Sequence, residues 1–229
     1  MKSHARIFVA GATGTVGSAI AARLKRDGHS IFATTTDAKN KKKLAQMGYT
    51  PVVVDLTNNS AVTQAIADCT PDYIVNAARG QTDAVKEEPT FAKNLADTAE
   101  AVGIRGMVYI SVFQADGQTG VPHFDIKAQV EAALSRRSFP VASLRPTTFM
   151  NLLLSPMVLG NVVENGVFAS PQASDALIAY IHTDEIAAVA SHLISGDTFE
   201  SGIFSFGGPE ALTARDIAER YSRVLGKPI

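Results

Sequence analysis

Short runs of apolar, often β-branched residues alternate along this chain with longer stretches in which apolar positions recur at helical spacing. Residues 7–10 read as a first strand. From Val16, Ile20 and Leu24 follow at i+4 and i+8 on one helix face, and Gly28 supplies a C-terminal stop. A second strand is predicted over 31–36, then a Lys-rich helix to about Met47. Residues 51–55 are nearly continuous valine, the pattern of a strand covered on both faces. A helix over 59–68, a strand over 73–78 and a helix marked by Phe91, Leu95, Thr98 and Val102 follow, the last ending at Gly103. Strands are predicted over 107–111 and 141–144, with a helix over 124–134 between them. Such alternation implies the α/β class: a Rossmann-type, doubly wound parallel sheet with right-handed crossovers.

The rhythm loosens after Arg145-Pro146. Residues 147–159 are apolar and Met-rich, Asn165-Gly166 marks a turn, and 177–181 read as a strand. Thr183-Asp184-Glu185 opens a helix with an N-cap and an acidic first turn. A short strand over 204–206 precedes a last helix that starts at Thr213 and carries Ile217, Tyr221, Val224 and Leu225. No repeat or linker interrupts the pattern. The expectation is one domain over 1–229, with a Rossmann core in 1–146 and a small C-terminal substrate lobe in 147–229.

Composition narrows the class. Of 229 residues, 46% are hydrophobic and 19% charged, as in ordinary globular proteins. A net charge of −1 provides no global field toward nucleic acid or anionic lipid, so neither is expected as a partner. There is no run of eighteen apolar residues for a membrane span, and the N-terminus leads straight into a strand, without a signal peptide. A cytoplasmic protein is expected. Cys69, the one cysteine, excludes an intrachain disulfide and shares an apolar helix face with Val62 and Ile66, where a core role outweighs a reactive one. His4, His29, His123, His182 and His192 lack zinc-site spacing, so no metal is expected.

The chemistry starts at Gly11-Ala12-Thr13-Gly14-Thr15-Val16-Gly17, between the first strand and the first helix. One glycine turns the chain sharply, a second admits a pyrophosphate to the backbone, and a third lets helix and strand pack closely. The helix N-terminus offers free N–H groups and the positive end of its dipole to the phosphates. The spacing G-x-x-G-x-x-G departs from the common G-x-G-x-x-G. Thr35 and Thr36, at the predicted end of the second strand, leave no acidic residue there to repel a 2′-phosphate. Asp37 is close by, with capping of the next helix as its simpler role. Lys39, Lys41, Lys42 and Lys43 crowd a helix start, where the dipole disfavours each cation by about 0.3–1 kcal/mol. A 2′-phosphate reached by Lys39 would justify part of that arrangement. NADP(H) is favoured and NAD(H) remains open. Asn76, Ala77 and Ala78, at the end of the fourth strand, are expected to line the crevice near the cofactor, with Arg79 directly after them.

Segments spread along the whole chain resemble one family. Ile7–Gly17, Val54-Asp55-Leu56, His123-Phe124-Asp125-Ile126-Lys127, Leu144-Arg145-Pro146-Thr147-Thr148-Phe149-Met150, Thr183-Asp184-Glu185-Ile186 and Leu212–Ala218 are similar, in order, to atypical short-chain dehydrogenases/reductases of the NmrA-like branch. The resemblance implies Asp55 and Leu56 beside the adenine and Lys127 at the nicotinamide ribose. It puts Ser111 at the usual catalytic serine, and His123 where the usual tyrosine stands. His123 can act as a proton donor, cap the helix after Pro122 or face solvent. Phe113, Phe149 and Met150 are the apolar candidates for a substrate pocket. Asn151 after Met150 departs from the family's F-M-E-N continuation. Members often extend further at the C-terminus, so the substrate cap is expected to be small or incomplete. The implied function is an NADPH-dependent reductase of a small carbonyl- or quinone-like substrate. The alternative is a non-catalytic dinucleotide sensor acting through a protein partner. A sugar-nucleotide epimerase is disfavoured by the missing tyrosine.

Overall fold

Alternate residues of the first strand, β1 (Arg6–Ala10), face opposite layers: Ile7 and Val9 join one apolar cluster, Phe8 and Ala10 the other. The computed structural model describes residues 4–229. Chain order continues with α1 (Thr15–Arg26), β2 (Ser30–Thr35), α2 (Asn40–Gln46), β3 (Thr50–Val53), α3 (Asn59–Cys69), β4 (Tyr73–Asn76), α4 (Ala84–Val102) and β5 (Gly106–Ile110). Next come α5 (Pro122–Leu134), β6 (Val141–Pro146), a 3-10 turn (Met150–Leu154), α6 (Pro156–Asn165), β7 (Ile178–Ala179), α7 (Thr183–Ser195), β8 (Gly202–Phe206), β9 (Ala211–Leu212) and α8 (Ala214–Leu225).

Seven strands pair in the order β3-β2-β1-β4-β5-β6-β8, all parallel. Helices α1 and α7 cover one face with Ile20, Leu24, Ile186, Ala190 and Leu193. Helices α3, α4 and α5 cover the other with Ile66, Leu95, Ala99, Val130 and Leu134. The strand order reverses between β1 and β4, which opens a crevice at their carboxyl ends.

Several expectations shift. The valine run is an edge strand: β3 pairs only with β2, and Val53 is 45% exposed. Its valines report β propensity, not two covered faces. The strand expected over 177–181 shrinks to β7, which pairs antiparallel with β9, an element too short to leave a pattern. The apolar stretch 147–159 divides into the 3-10 turn and the start of α6. Gly166 ends α6 in the left-handed region (φ +66°), fulfilling the expected turn. The cap of α7 is His182, one residue before the expected Thr183: its Nδ1 accepts from Asp184 N–H, and its own N–H donates to Glu185. Cys69 is buried in α3, and burial pushes its thiol up to about 11. Among the described residues no helix is long and apolar enough to cross a membrane, and no His/Cys/Asp/Glu group has metal-site geometry.

Candidate functional site

The Gly-rich turn is built around one carbonyl. Gly11 sits in the left-handed region (φ +79°), and a Cβ there would lie 2.5 Å from Ala77 O and 2.7 Å from Ala78 N. Gly11 O accepts the Gly14 N–H at 3.0 Å, and a Cβ on Gly17 would collide with that same oxygen. Gly14 is the N-cap of α1 and brings no side chain to the cap, so N–H groups of the first turn stay available to a ligand. Three backbones thus meet where a Cβ would intrude, the cradle a pyrophosphate requires. Thr34 completes the turn: its buried Oγ1 accepts the Gly11 N–H at 3.1 Å. Sequence reasoning passed over Thr34 because a threonine inside a strand looks like ordinary β-former.

A cleft of about 480 Å³ runs from this turn along the ends of β2 and β3. It brings together Gly11, Thr13, Thr35, Thr36, Asp55, Leu56 and Ala78, with Arg79 as a lining cation. The Asp55 carboxylate accepts from the N–H and hydroxyl of Thr57, which shapes the loop after β3. Lys39 is exposed at the N-cap of α2, outside the residues that line the cleft. Asp37 is not the helix cap itself; its carboxylate accepts the Lys39 N–H at 2.9 Å. Asn76 is buried, and its Oδ1 turns back to accept the Ala78 N–H. Ala77 meets the turn through its backbone. Thr15 is the exposed first residue of α1, whereas Val16 and Gly17 are buried in its packed face.

Beyond the ends of β5 and β6 lies a second, more apolar pocket of about 630 Å³. Phe113, Phe124, Phe149, Leu152 and Leu177 line it, and His123 is the titratable group in its wall. Phe113 and Phe149, both expected as apolar pocket residues, are among its lining. Met150 does not line this pocket and is 37% exposed. His123 lies in the first turn of α5, whose N-cap is Val121. Burial lowers the imidazole pKa from its ordinary value; the Lys127 and Arg79 charges lower it further, while Glu88 opposes them. These surroundings favour the neutral ring over the imidazolium.

Lys127, one turn further along α5, is 7% exposed. Its Nζ donates to Ile110 O at 3.1 Å and pairs with Glu88 Oε2 at 2.9 Å. Ser111 follows β5 but is buried, with no hydrogen-bond partner for its Oγ, and it does not line the His123 pocket. Tyr109 OH is likewise unpartnered, and burial next to Glu88 and Glu131 pushes its phenol far up. Glu88 escaped the sequence reading. The signal was there: stepping the Phe91, Leu95, Thr98 stripe back by three residues puts a glutamate on the buried face of α4.

Comparison with known proteins places the fold and the family. A (4-alkanoyl-5-oxo-2,5-dihydrofuran-3-yl)methyl phosphate reductase of Streptomyces griseus is 28% identical, with 97% of this chain and 75% of the relative covered. The photosystem II assembly factor Ycf39 of Synechocystis is 23% identical over 96% of this chain and 68% of its own length. The NADPH-dependent quinone oxidoreductase QOR2 of Escherichia coli, solved with NADPH, has the same fold: TM-score 0.83 at 23% identity, covering 97% of this chain and 76% of that one. The NmrA-like family itself matches residues 3–229, and on that match, with the Gly-rich turn and Rossmann-type sheet just described, this chain belongs to the NmrA-like family.

Proposed function

We propose that the chain binds a nicotinamide dinucleotide, NADPH in preference to NADH, and reduces a small carbonyl- or quinone-like substrate. The observation that carries this reading is the backbone cradle of Gly11, Gly14 and Gly17, which leaves no room for a Cβ at its first and last positions. The threonines at the end of β2 and the Arg79 cation in the same cleft favour a 2′-phosphate; Lys39 would reach it only from outside the lining. The reductase names of the Streptomyces and Escherichia coli relatives support the reaction class.

Bound NADPH supplies a hydride. The chain's own work is to bind, orient and exclude water. Asp55 and Leu56 would flank the adenine, and Lys127 Nζ would take the nicotinamide ribose. Phe113 and Phe149 would hold an apolar substrate beside His123. Carbonyl reduction places the hydride on carbon and a proton on oxygen, and the His123 imidazole is the group in the pocket wall that can carry that proton.

Calorimetry should show NADPH binding in the micromolar range or tighter, and more tightly than NADH; the reverse order sinks the 2′-phosphate argument. NADPH consumption over a panel of quinones and carbonyls tests the reaction. One observation favours a second reading, a dinucleotide-binding protein that acts through a protein partner. Ser111 Oγ is buried away from the His123 pocket, so the usual serine–tyrosine pair is not presented there. NADPH binding without turnover on any substrate of the panel would select that reading.

A further inference from the structure

Glu88 and Lys127 form a buried ion pair that stability alone does not explain. Glu88 is 3% exposed and Lys127 7%. Removing two charges from water is costly, and their attraction repays it only when further hydrogen bonds satisfy both groups. Here they do not. The Oε2–Nζ contact of 2.9 Å lies off hydrogen-bond geometry, and Glu88 Oε1 has no hydrogen-bond partner among the described residues. Well-packed apolar residues of similar volume often stabilise a fold as well as a buried ion pair or better. The pair also sits where three elements meet, buried behind the wall that carries His123 and outside the lining of either cleft. Glu88 comes from α4, Lys127 from α5 one turn below His123, and Tyr109, Ile110 and Ser111 from the end of β5. Lys127 Nζ has three N–H groups, of which Ile110 O takes one and Glu88 attracts a second. It is 5.1 Å from the Tyr109 ring centroid, which closes another side.

We propose that Glu88 is a positioning residue: from the protein side it pins the Lys127 ammonium at the end of β5, leaving its remaining N–H for the ribose on the nicotinamide half of the cofactor. The proposal rests on the nicotinamide-binding reading above. Glu88 acts through Lys127 and touches no ligand itself.

Equilibrium binding to NADPH and to its adenosine half alone (adenosine 2′,5′-bisphosphate) tests this on Glu88→Gln, Lys127→Met and the double variant. Glu88→Gln should weaken NADPH binding about tenfold, the scale of one charge-assisted contact, and leave the adenosine half unchanged. A merely structural role would weaken both ligands together. The double variant should bind NADPH no worse than Lys127→Met, because the lost contact is the same one. It also carries neither buried charge, so it keeps the test alive if Glu88→Gln folds poorly. The proposal is overturned by wild-type NADPH affinity in folded Glu88→Gln, by parallel losses for both ligands, or by losses that multiply in the double variant. If the wild-type protein binds neither ligand, the nicotinamide reading itself fails, an outcome distinct from these three.

Discussion

At the scale of single residues, the proposed reduction turns on what surrounds His123. Its pKa is held below the ordinary value mainly by burial, with Lys127 and Arg79 adding to the effect and Glu88 resisting it. The imidazolium that can give up a proton is present below that pKa and lost above it. A reduction that draws its proton from His123 should therefore lose kcat/KM as pH rises through a midpoint below about 6.5. The pH–rate profile with saturating NADPH measures this, and His123→Asn should remove that limb while leaving NADPH affinity close to wild type. A limb that survives in His123→Asn takes His123 off the proton path. The family resemblance of the segment His123–Lys127 made both residues visible, but the environment of each came from residues far away in the chain. Glu88 lies thirty-nine positions before Lys127 and Arg79 lies forty-four before His123, separations at which no local pattern operates.

At the scale of elements, the turn between β1 and α1 separates two jobs that its glycines otherwise blur. Gly17 has no space for a side chain, since its Cβ would meet Gly11 O. Gly14 has an ordinary φ of −82°, and its Cβ would lie 3.4 Å from that same oxygen. Gly17→Ala should therefore cost about 1–3 kcal/mol of stability through overpacking, and NADPH binding with it. Gly14→Ala should melt within about 2 °C of wild type, the shift of a surface-scale change of ~0.5 kcal/mol, yet lose NADPH affinity if the phosphates sit on this turn as proposed, because the glycine caps the helix start that would receive them. Thermal melts beside calorimetry check both; unchanged affinity in a folded Gly14→Ala would move the phosphates off this turn. The turn's glycines were legible because they, the flanking strand and the helix are all local, whereas Thr34, twenty-three positions on from Gly11, was not. Long elements were legible for the same reason, from α1 to α5. The edge position of β3 was not, because strand order is decided by long-range pairing. Nor was β9, whose two residues carry no period.

At the scale of the whole molecule, the question is whether residues 147–229 form a separate body. Their longest buried helix, α7, places Ile186, Ala187, Ala190, Leu193 and Ile194 in the same apolar cluster as Ile20 and Leu24 of α1. Polar ties reinforce the seam: Ser195 Oγ meets His29 Nε2 at 2.9 Å, and the Ser191 hydroxyl donates to the Asp27 carboxylate. Strand β8 continues the main sheet beside β6. What remains around β7, β9 and α8 has a small apolar centre of its own, with Tyr180, Leu212 and Ile217 as its buried residues. So few buried side chains cannot offset the entropy of ordering that segment independently. Native-state hydrogen exchange should therefore show α7 amides opening at the same free energy as β1 and α1. Amides of β9 and α8 should open at a lower one. A fragment ending at residue 146 should lack a cooperative urea transition, because it exposes the α1 face that α7 covers. If α7 exchanges together with α8, or the fragment unfolds cooperatively, the C-terminal part is a domain in its own right.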